Sequence, residues 1–228
     1  MSNSEKHVCD FCQKGFVKET TLAVHMCQPK RRALQKNEKR VQLGYQTFIR
    51  FYQLNTQAKK PKTYEEFAKS PYYTAFVKFG SFISNVRPLY PEKYIDYIVT
   101  SGIKLEQWCR EENYEKYANE LIRKEGVQTA LERSVVTMNE WATDHNSNWQ
   151  HYFKEVSTNR AVYHIKDGKI SPWIILNCKS GKQLISKFNN EQLNIVYNIM
   201  APDHWALRFR RSPADVKFVK EIVLQSGL

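Results

Sequence analysis

Cys9-Asp10-Phe11-Cys12, continued by Phe16, Leu22 and His25-Met26-Cys27, is the stretch on which the reading of this chain turns. Two cysteines separated by two residues sit on a tight turn, so both sulfurs can face one cation at about 2.3 Å. A histidine on a following helix can add a nitrogen at about 2.0 Å. A redox Cys-x-x-Cys would need a βαβ setting and has no use for a phased Phe16, Leu22 and His25, so the pattern points to metal rather than thiol exchange.

The spacing C-x2-C-x3-F-x5-L-x2-H resembles the first three ligands and both core residues of the Cys-Cys-His-His zinc finger, over about the first tenth of the chain. The resemblance implies a small ββα unit with Phe16 and Leu22 as its core and Zn²⁺ supplying most of its folding free energy. The departure is the fourth ligand. The next candidate after His25 is Cys27, two residues on, and on a regular helix those side chains point about 200° apart. Pro29 disfavours helical geometry in the residue before it. The helix is therefore expected to end near Met26, with Cys27 swinging back to complete a Cys9, Cys12, His25, Cys27 set. His7, two residues before the first cysteine, is the rival ligand, and packing is its expected role.

Outward from this stretch the dominant signal is charge. Of the formal +12, the segment from Gln28 to Lys62 carries +9: ten cations (Lys30, Arg31, Arg32, Lys36, Lys39, Arg40, Arg50, Lys59, Lys60, Lys62) against the single acid Glu38. A basic segment beside a finger is an electrostatic footprint for phosphate backbones. Phased as in DNA-reading fingers, the helix would offer Lys18, Thr21 and Val24, with Thr20 beside them. Bidentate base reading wants Arg, Asn or Gln there, so sequence-specific recognition is not expected. Lys18, Lys30, Arg31, Arg32, Lys36, Lys39 and Arg40 are the expected phosphate contacts, to DNA or RNA, and the finger itself is a candidate protein-docking module.

The rest reads as mainly α: a finger (1–28), a basic linker helix (29–62) and an α-helical domain (63–228), with a possible subdivision near residue 157. Leu34, Val41, Tyr45, Phe48 and Tyr52 repeat at helical spacing from Gln28 to about Gln57, and Lys59-Lys60-Pro61-Lys62 breaks the run. Thr63 and Glu66, and again Ser147 and Gln150, have capping-box spacing. Ser70-Pro71, Ser171-Pro172, Ala201-Pro202 and Ser212-Pro213 read as helix starts, as does Pro91. Gly168 and Gly181 stand where helix ends want positive φ. The aromatic run from Tyr72 to Ile83 reads as core at helical spacing, with base stacking as the alternative. The tract from Tyr163 to Leu176, which could pass for a hairpin, is read as short helices.

Five cysteines, three of them in the finger, suit a reducing compartment rather than a disulfide framework. No apolar run is long enough to span a bilayer, and Met1-Ser-Asn-Ser-Glu lacks the regions of a signal peptide. A cytoplasmic protein is expected. Traces of catalysis are weak: Gly168-Lys169 and Gly181-Lys182 lack the rest of a phosphate loop. Pro202-Asp203 and Asp215-Val216-Lys217 echo a metal-dependent nuclease, but both start helices on this reading. His145, His151, His164 and His204 form no ligand or base–nucleophile spacing, and no enzyme is expected. Finger, Cys27-Gln28-Pro29-Lys30-Arg31-Arg32 and aromatic-rich helical body together are similar to uncharacterised zinc-finger proteins of large tailed bacteriophages. That resemblance implies action in a host bacterial cytoplasm, on replication, transcription or packaging. The alternative from another class is an adaptor that recruits a viral or host machine through protein contacts.

Overall fold

The computed structural model describes residues 7–56 and 60–228; the expected helix end at Gln57 and the basic residue Lys59 lie outside the described residues. The protein is mostly helical with a two-stranded sheet of two residues per strand. It divides into two compact units, Met1–Arg110 and Glu111–Leu228. No helix of the described residues is long and apolar enough to cross a membrane.

In the first unit, β1 (His7–Val8) pairs antiparallel with β2 (Gly15–Phe16), His7 opposite Phe16. The chain then forms α1 (Glu19–Val24), α2 (Gln28–Leu34), α3 (Lys39–Thr56), α4 (Tyr64–Lys69), α5 (Tyr73–Val86) and α6 (Pro91–Thr100). The continuous helix expected from Gln28 is broken. A 3₁₀ turn at Gln35–Asn37 follows α2, and Glu38 is extended (φ −65°, ψ 135°) before α3 begins. Leu34 is exposed whereas Val41 is wholly buried, so the apolar stripe that holds α3 in the core has no continuation along α2.

The core of this unit is aromatic. Phe48 on α3, Phe67 on α4, Tyr73, Phe76 and Phe79 on α5, and Trp108 are buried. Their rings meet edge-on or tilted, as at Phe48–Phe76 (5.4 Å, 90°) and Phe79–Trp108 (5.2 Å, 68°), which suits the ring quadrupoles. The run from Tyr72 to Ile83 is thus core, with Tyr72 its exposed member. α3 and α5 approach closely through two glycines: a Cβ on Gly80 would lie 2.0 Å from Arg40 O, and one on Gly44 2.7 Å from Phe76 O.

The Thr63–Glu66 capping box is present, with Thr63 Oγ1 accepting from Glu66 N (3.3 Å) and Glu66 Oε2 from Thr63 N (2.8 Å). Ser70 acts differently from expectation. It closes α4 and its hydroxyl accepts from Tyr72 N, so Pro71 occupies the turn and α5 begins at Tyr73.

The second unit comprises α7 (Glu111–Lys124), α8 (Val127–His145), α9 (Tyr152–Glu155), α10 (Thr158–Lys166), α11 (Pro172–Ile175), α12 (Lys179–Ile185), α13 (Asn190–Met200), α14 (Pro202–Arg211) and α15 (Pro213–Gln225). The last third is helical, and Pro172, Pro202 and Pro213 each open a helix, where a missing N–H costs nothing. Ser157, near the expected subdivision, is the N-cap of α10 inside this unit. Two expectations are corrected. Asn148, not Ser147, caps the turn at Trp149, because Ser147 Oγ donates instead to Glu155. Gly181 lies inside α12, where it admits Ile175 O at 2.5 Å from the site of a Cβ; Gly168 does take positive φ (73°).

A buried polar network ties this unit together. Glu125 (side chain 3 % exposed) is held by both terminal nitrogens of Arg133, and its Oε1 accepts from Ser171 Oγ at 3.0 Å. Arg133 Nε donates to Gly168 O (2.7 Å), and Ser134 Oγ accepts from Ser171 N (3.0 Å). Every charge in it has a partner, the condition under which a buried ion pair is tolerated.

Candidate metal centre

Tight local turns build the site. After β1, Gln13 N donates to Cys9 O (2.8 Å) and Cys9 N to Lys14 O (3.0 Å), with Gln13 in the left-handed region (φ 60°). This knuckle turns Cys9 and Cys12 to the same side. β2 leads into α1, which ends after Val24. His25 already has extended backbone (φ −67°, ψ 122°), as has Cys27 (φ −76°, ψ 163°).

The arrangement of the last two ligands therefore differs from the expected unwinding at Met26. α1 stops one residue before His25, and in extended chain residues i and i+2 share a face, so His25 and Cys27 point the same way without any back-swing. Pro29 stands in the first turn of α2 and marks a helix start, with Cys27 as the N-cap. That second role of Pro29 was the available sequence signal.

One donor atom from each of Cys9, Cys12, His25 and Cys27 lies within 4.8 Å of the other three. Cys9 Sγ and Cys27 Sγ are 3.9 Å apart, and Cys12 Sγ and His25 Nε2 are 3.3 Å apart. A tetrahedral ion with ligand distances of about 2.3 Å to sulfur and about 2.0 Å to nitrogen has edges of about 3.8 Å and about 3.5 Å. The group can thus hold a metal ion, and its donor set and spacing are compatible with zinc. His7 is not a member; it sits in the ladder opposite Phe16.

The surroundings tune the donors. Burial raises the pKa of the Cys9 thiol, but the N–H groups of Cys12 and Phe11, with the neighbouring thiols, bring it below the ordinary value. At Cys12 the Lys14 N–H favours the thiolate, yet burial and the crowding of Cys9 and Cys27 keep the pKa raised. Mutual repulsion of converging thiolates is what a cation relieves. The Phe16 ring lies 4.7 Å from the His25 ring. Neither Phe16 nor Leu22 is fully buried, and no residue of α1 is, so the apolar core of this segment is thin.

The basic residues fall into two sets. Lys30 Nζ donates to His25 O (3.2 Å), locking the main chain between two ligands. Arg32 donates to Ala68 O and stacks over the Tyr73 ring at 4.2 Å, while Tyr64 Oη donates to Arg32 O at 2.6 Å; these contacts anchor α2 on α4 and α5. Neither role has a sequence signature. Lys18, Arg31, Lys36, Lys39 and Arg40 are exposed, Lys36 lying 5.0 Å over Tyr64 and Arg40 pairing with Glu38 at 2.7 Å.

Elsewhere Asp203 and Asp215 stand in the first turns of α14 and α15, and Lys217 lies near Glu221 (3.8 Å). Among the described residues no other cluster of three His, Cys, Asp or Glu side chains is close enough to share an ion. Comparison with known proteins finds no match: no family model fits the chain, and no curated protein or solved structure is significantly similar to it.

Proposed function

We propose that this is a zinc-dependent, non-enzymatic nucleic-acid-binding protein with little sequence preference, its amino-terminal segment a ββα-type finger closed by Cys9, Cys12, His25 and Cys27. The observation that carries the reading is the placement of charge beside that cluster. The unit Met1–Arg110 holds nineteen Lys and Arg against nine Asp and Glu, +10, whereas Glu111–Leu228 holds sixteen against fourteen, +2. Exposed Lys18, Arg31, Lys36, Lys39 and Arg40 supply the phosphate contacts; Lys30 and Arg32 hold the metal segment and α2 in place. The resemblance to tailed-phage finger proteins puts this binding in replication, transcription or packaging in a host cytoplasm. A nuclease role is disfavoured because Asp203 and Asp215 sit on helices rather than on adjacent strands.

The test is binding to mixed-sequence duplex DNA and to RNA across a salt series. Affinity should fall steeply, log Kd changing linearly with log salt with a slope of about 0.9 per phosphate contact on B-DNA. Neutralising Arg31, Lys36, Lys39 and Arg40 together to Gln should remove up to about three to four units of slope. A flat salt dependence, or no binding, overturns the proposal.

One observation favours a docking adaptor as the second reading. Val17 (75 % exposed), ahead of α1, and Val24 (81 % exposed), its last residue, are apolar and open to solvent, as are Phe11 and Met26 of the same segment. Exposed apolar surface suits a protein partner better than phosphates. Val17→Ser with Val24→Ser, which removes the apolar surface without changing charge, should leave salt-dependent nucleic-acid binding intact if the first reading holds.

A further inference from the structure

Between α12, α13 and α14 the second unit leaves an open groove of about 510 Å³, within the range of sites that take up a ligand. α13 and α14 turn on the single residue Ala201, and each lends the groove apolar residues at helical spacing: Leu193, Val196 and Met200 from one, Trp205 and Phe209 from the other. Ile185 of α12 lines it as well. The floor is fixed. Val196 and Trp205 are buried, the Trp205 indole donates to Ile199 O (2.7 Å), and Phe209 packs on Trp205 (5.5 Å) and on Trp173 (5.1 Å). Gln192 Nε2 donates to Thr158 Oγ1 (3.1 Å) and Asn159 Oδ1 (2.7 Å), which holds α13 on α10. On the rim, Leu193, Tyr197 and Ala206 are exposed. Among the described lining residues the Tyr197 hydroxyl is the one other polar side-chain group, so the groove offers a ligand little but apolar contact.

Charge around the groove selects the occupant. Residues 176–211 hold six Lys and Arg against Glu191 and Asp203, +4, whereas the rest of Glu111–Leu228 holds ten against twelve, −2. Lys182 stands one turn from Ile185 and Arg210 one turn from Ala206, so each cation adjoins a lining residue. Both are exposed, and neither pairs with an acid among the described residues. Asp203 adjoins Ala206 from the other end of α14, which leaves the cations in excess. A second copy of this chain would bring its own +12 to the same face. A fatty acid has the right charge, but sites for small ligands bury about 70–90 % of them, and this rim is open along Leu193 and Tyr197. An amphipathic helix covers such a rim with its own apolar stripe.

We propose that the α13–α14 groove docks an acidic amphipathic helix of a partner protein, whose apolar side chains at i, i+4 and i+7 fill the groove while its carboxylates meet Lys182 and Arg210. This site is independent of the nucleic-acid reading, which rests on residues of the other unit.

The test uses the full-length, metal-loaded protein and a fluorescein-labelled helical peptide of about fifteen residues, with Leu or Phe at i, i+4 and i+7 and Glu at the flanking positions. A peptide with Lys in place of every Glu, and dodecanoate, are the comparison probes. The Glu peptide should raise the anisotropy saturably and shift the Met200 and Ile185 methyl signals, leaving Ile98 of the other unit unmoved. The Lys peptide should bind at least about tenfold more weakly, and Lys182→Glu with Arg210→Glu should reverse that preference. Ala206→Glu, which puts a charge into the groove, should weaken the Glu peptide at least about tenfold. All three substitutions put a good helix former at an exposed helical position, so the variants fold. No saturable shift at Met200 and Ile185, equal affinity for the two peptides, or unchanged affinity in Ala206→Glu each overturns the proposal. So does saturable binding of dodecanoate alone, which assigns the groove to a fatty acyl anion, or a dimer that Ala206→Glu abolishes, which assigns it to a second copy.

Discussion

Cys27 reaches the metal cluster because the chain from His25 onward is extended, so its contribution depends on an even spacing of two. Cys27→Ala is expected to weaken metal binding by well over the ~100-fold typical of losing an outer partner, measured by competition with a chromophoric chelator, with His7→Ala unchanged. One alanine inserted after Met26 should be as damaging, since it turns Cys27 to the opposite face. His164 supports a second prediction. Its Nδ1 lies 2.6 Å from Tyr152 Oη, and burial, with Lys169 and Arg160 facing it, lowers its pKa from 6.5 to about 4. A folded-state pKa below the unfolded one means stability present above about pH 6.5 is lost as pH falls toward 4, at most about 3 kcal/mol. Urea unfolding at pH 7 and pH 4.5 should show that loss, and His164→Asn, which keeps an acceptor for Tyr152, should reduce it.

Among the elements, the α3–α5 crossing and the Glu125–Arg133 pair carry the clearest consequences. Gly80→Ala places a methyl 2.0 Å from Arg40 O and 2.7 Å from Gly44 N, main-chain atoms that cannot swing aside, so a loss of about 3 kcal/mol or more in chemical unfolding is expected. Arg133→Met strands a buried carboxylate and should cost roughly 3–5 kcal/mol. Changing Glu125 to Leu as well should recover much of it. Element boundaries were legible where the chemistry is local. Thr63 with Glu66, and Pro91, Pro172, Pro202 and Pro213, all act within one turn. Ser70 and Ser147 were misread because their hydroxyls found other partners, and the break before Lys39 because a charged run has no period to interrupt.

For the whole molecule, the concentration of basic charge and of the candidate metal cluster in Met1–Arg110 predicts a separable response to chelation. Removing the ion should abolish hydrogen-exchange protection in residues 7–27, where the apolar core is thin. Protection of the α8 and α10 amides should persist, because their burial involves none of the four ligands. Loss of protection throughout Glu111–Leu228 on chelation would contradict this picture.

The four residues of the candidate metal cluster, the helical class and the helix starts at Thr63, Pro91, Pro172, Pro202 and Pro213 were determined by the sequence alone, because each depends on residues a few positions apart, whether by ligand spacing, capping or apolar period. Tertiary structure decided what distant residues do together. It enlisted Lys30 and Arg32 as structural supports, paired Gly44 with Gly80, buried Glu125 against Arg133, and brought Arg208 to the Glu125 carbonyl. Such pairings bring together residues up to some eighty positions apart, and no local preference of either partner encodes the other.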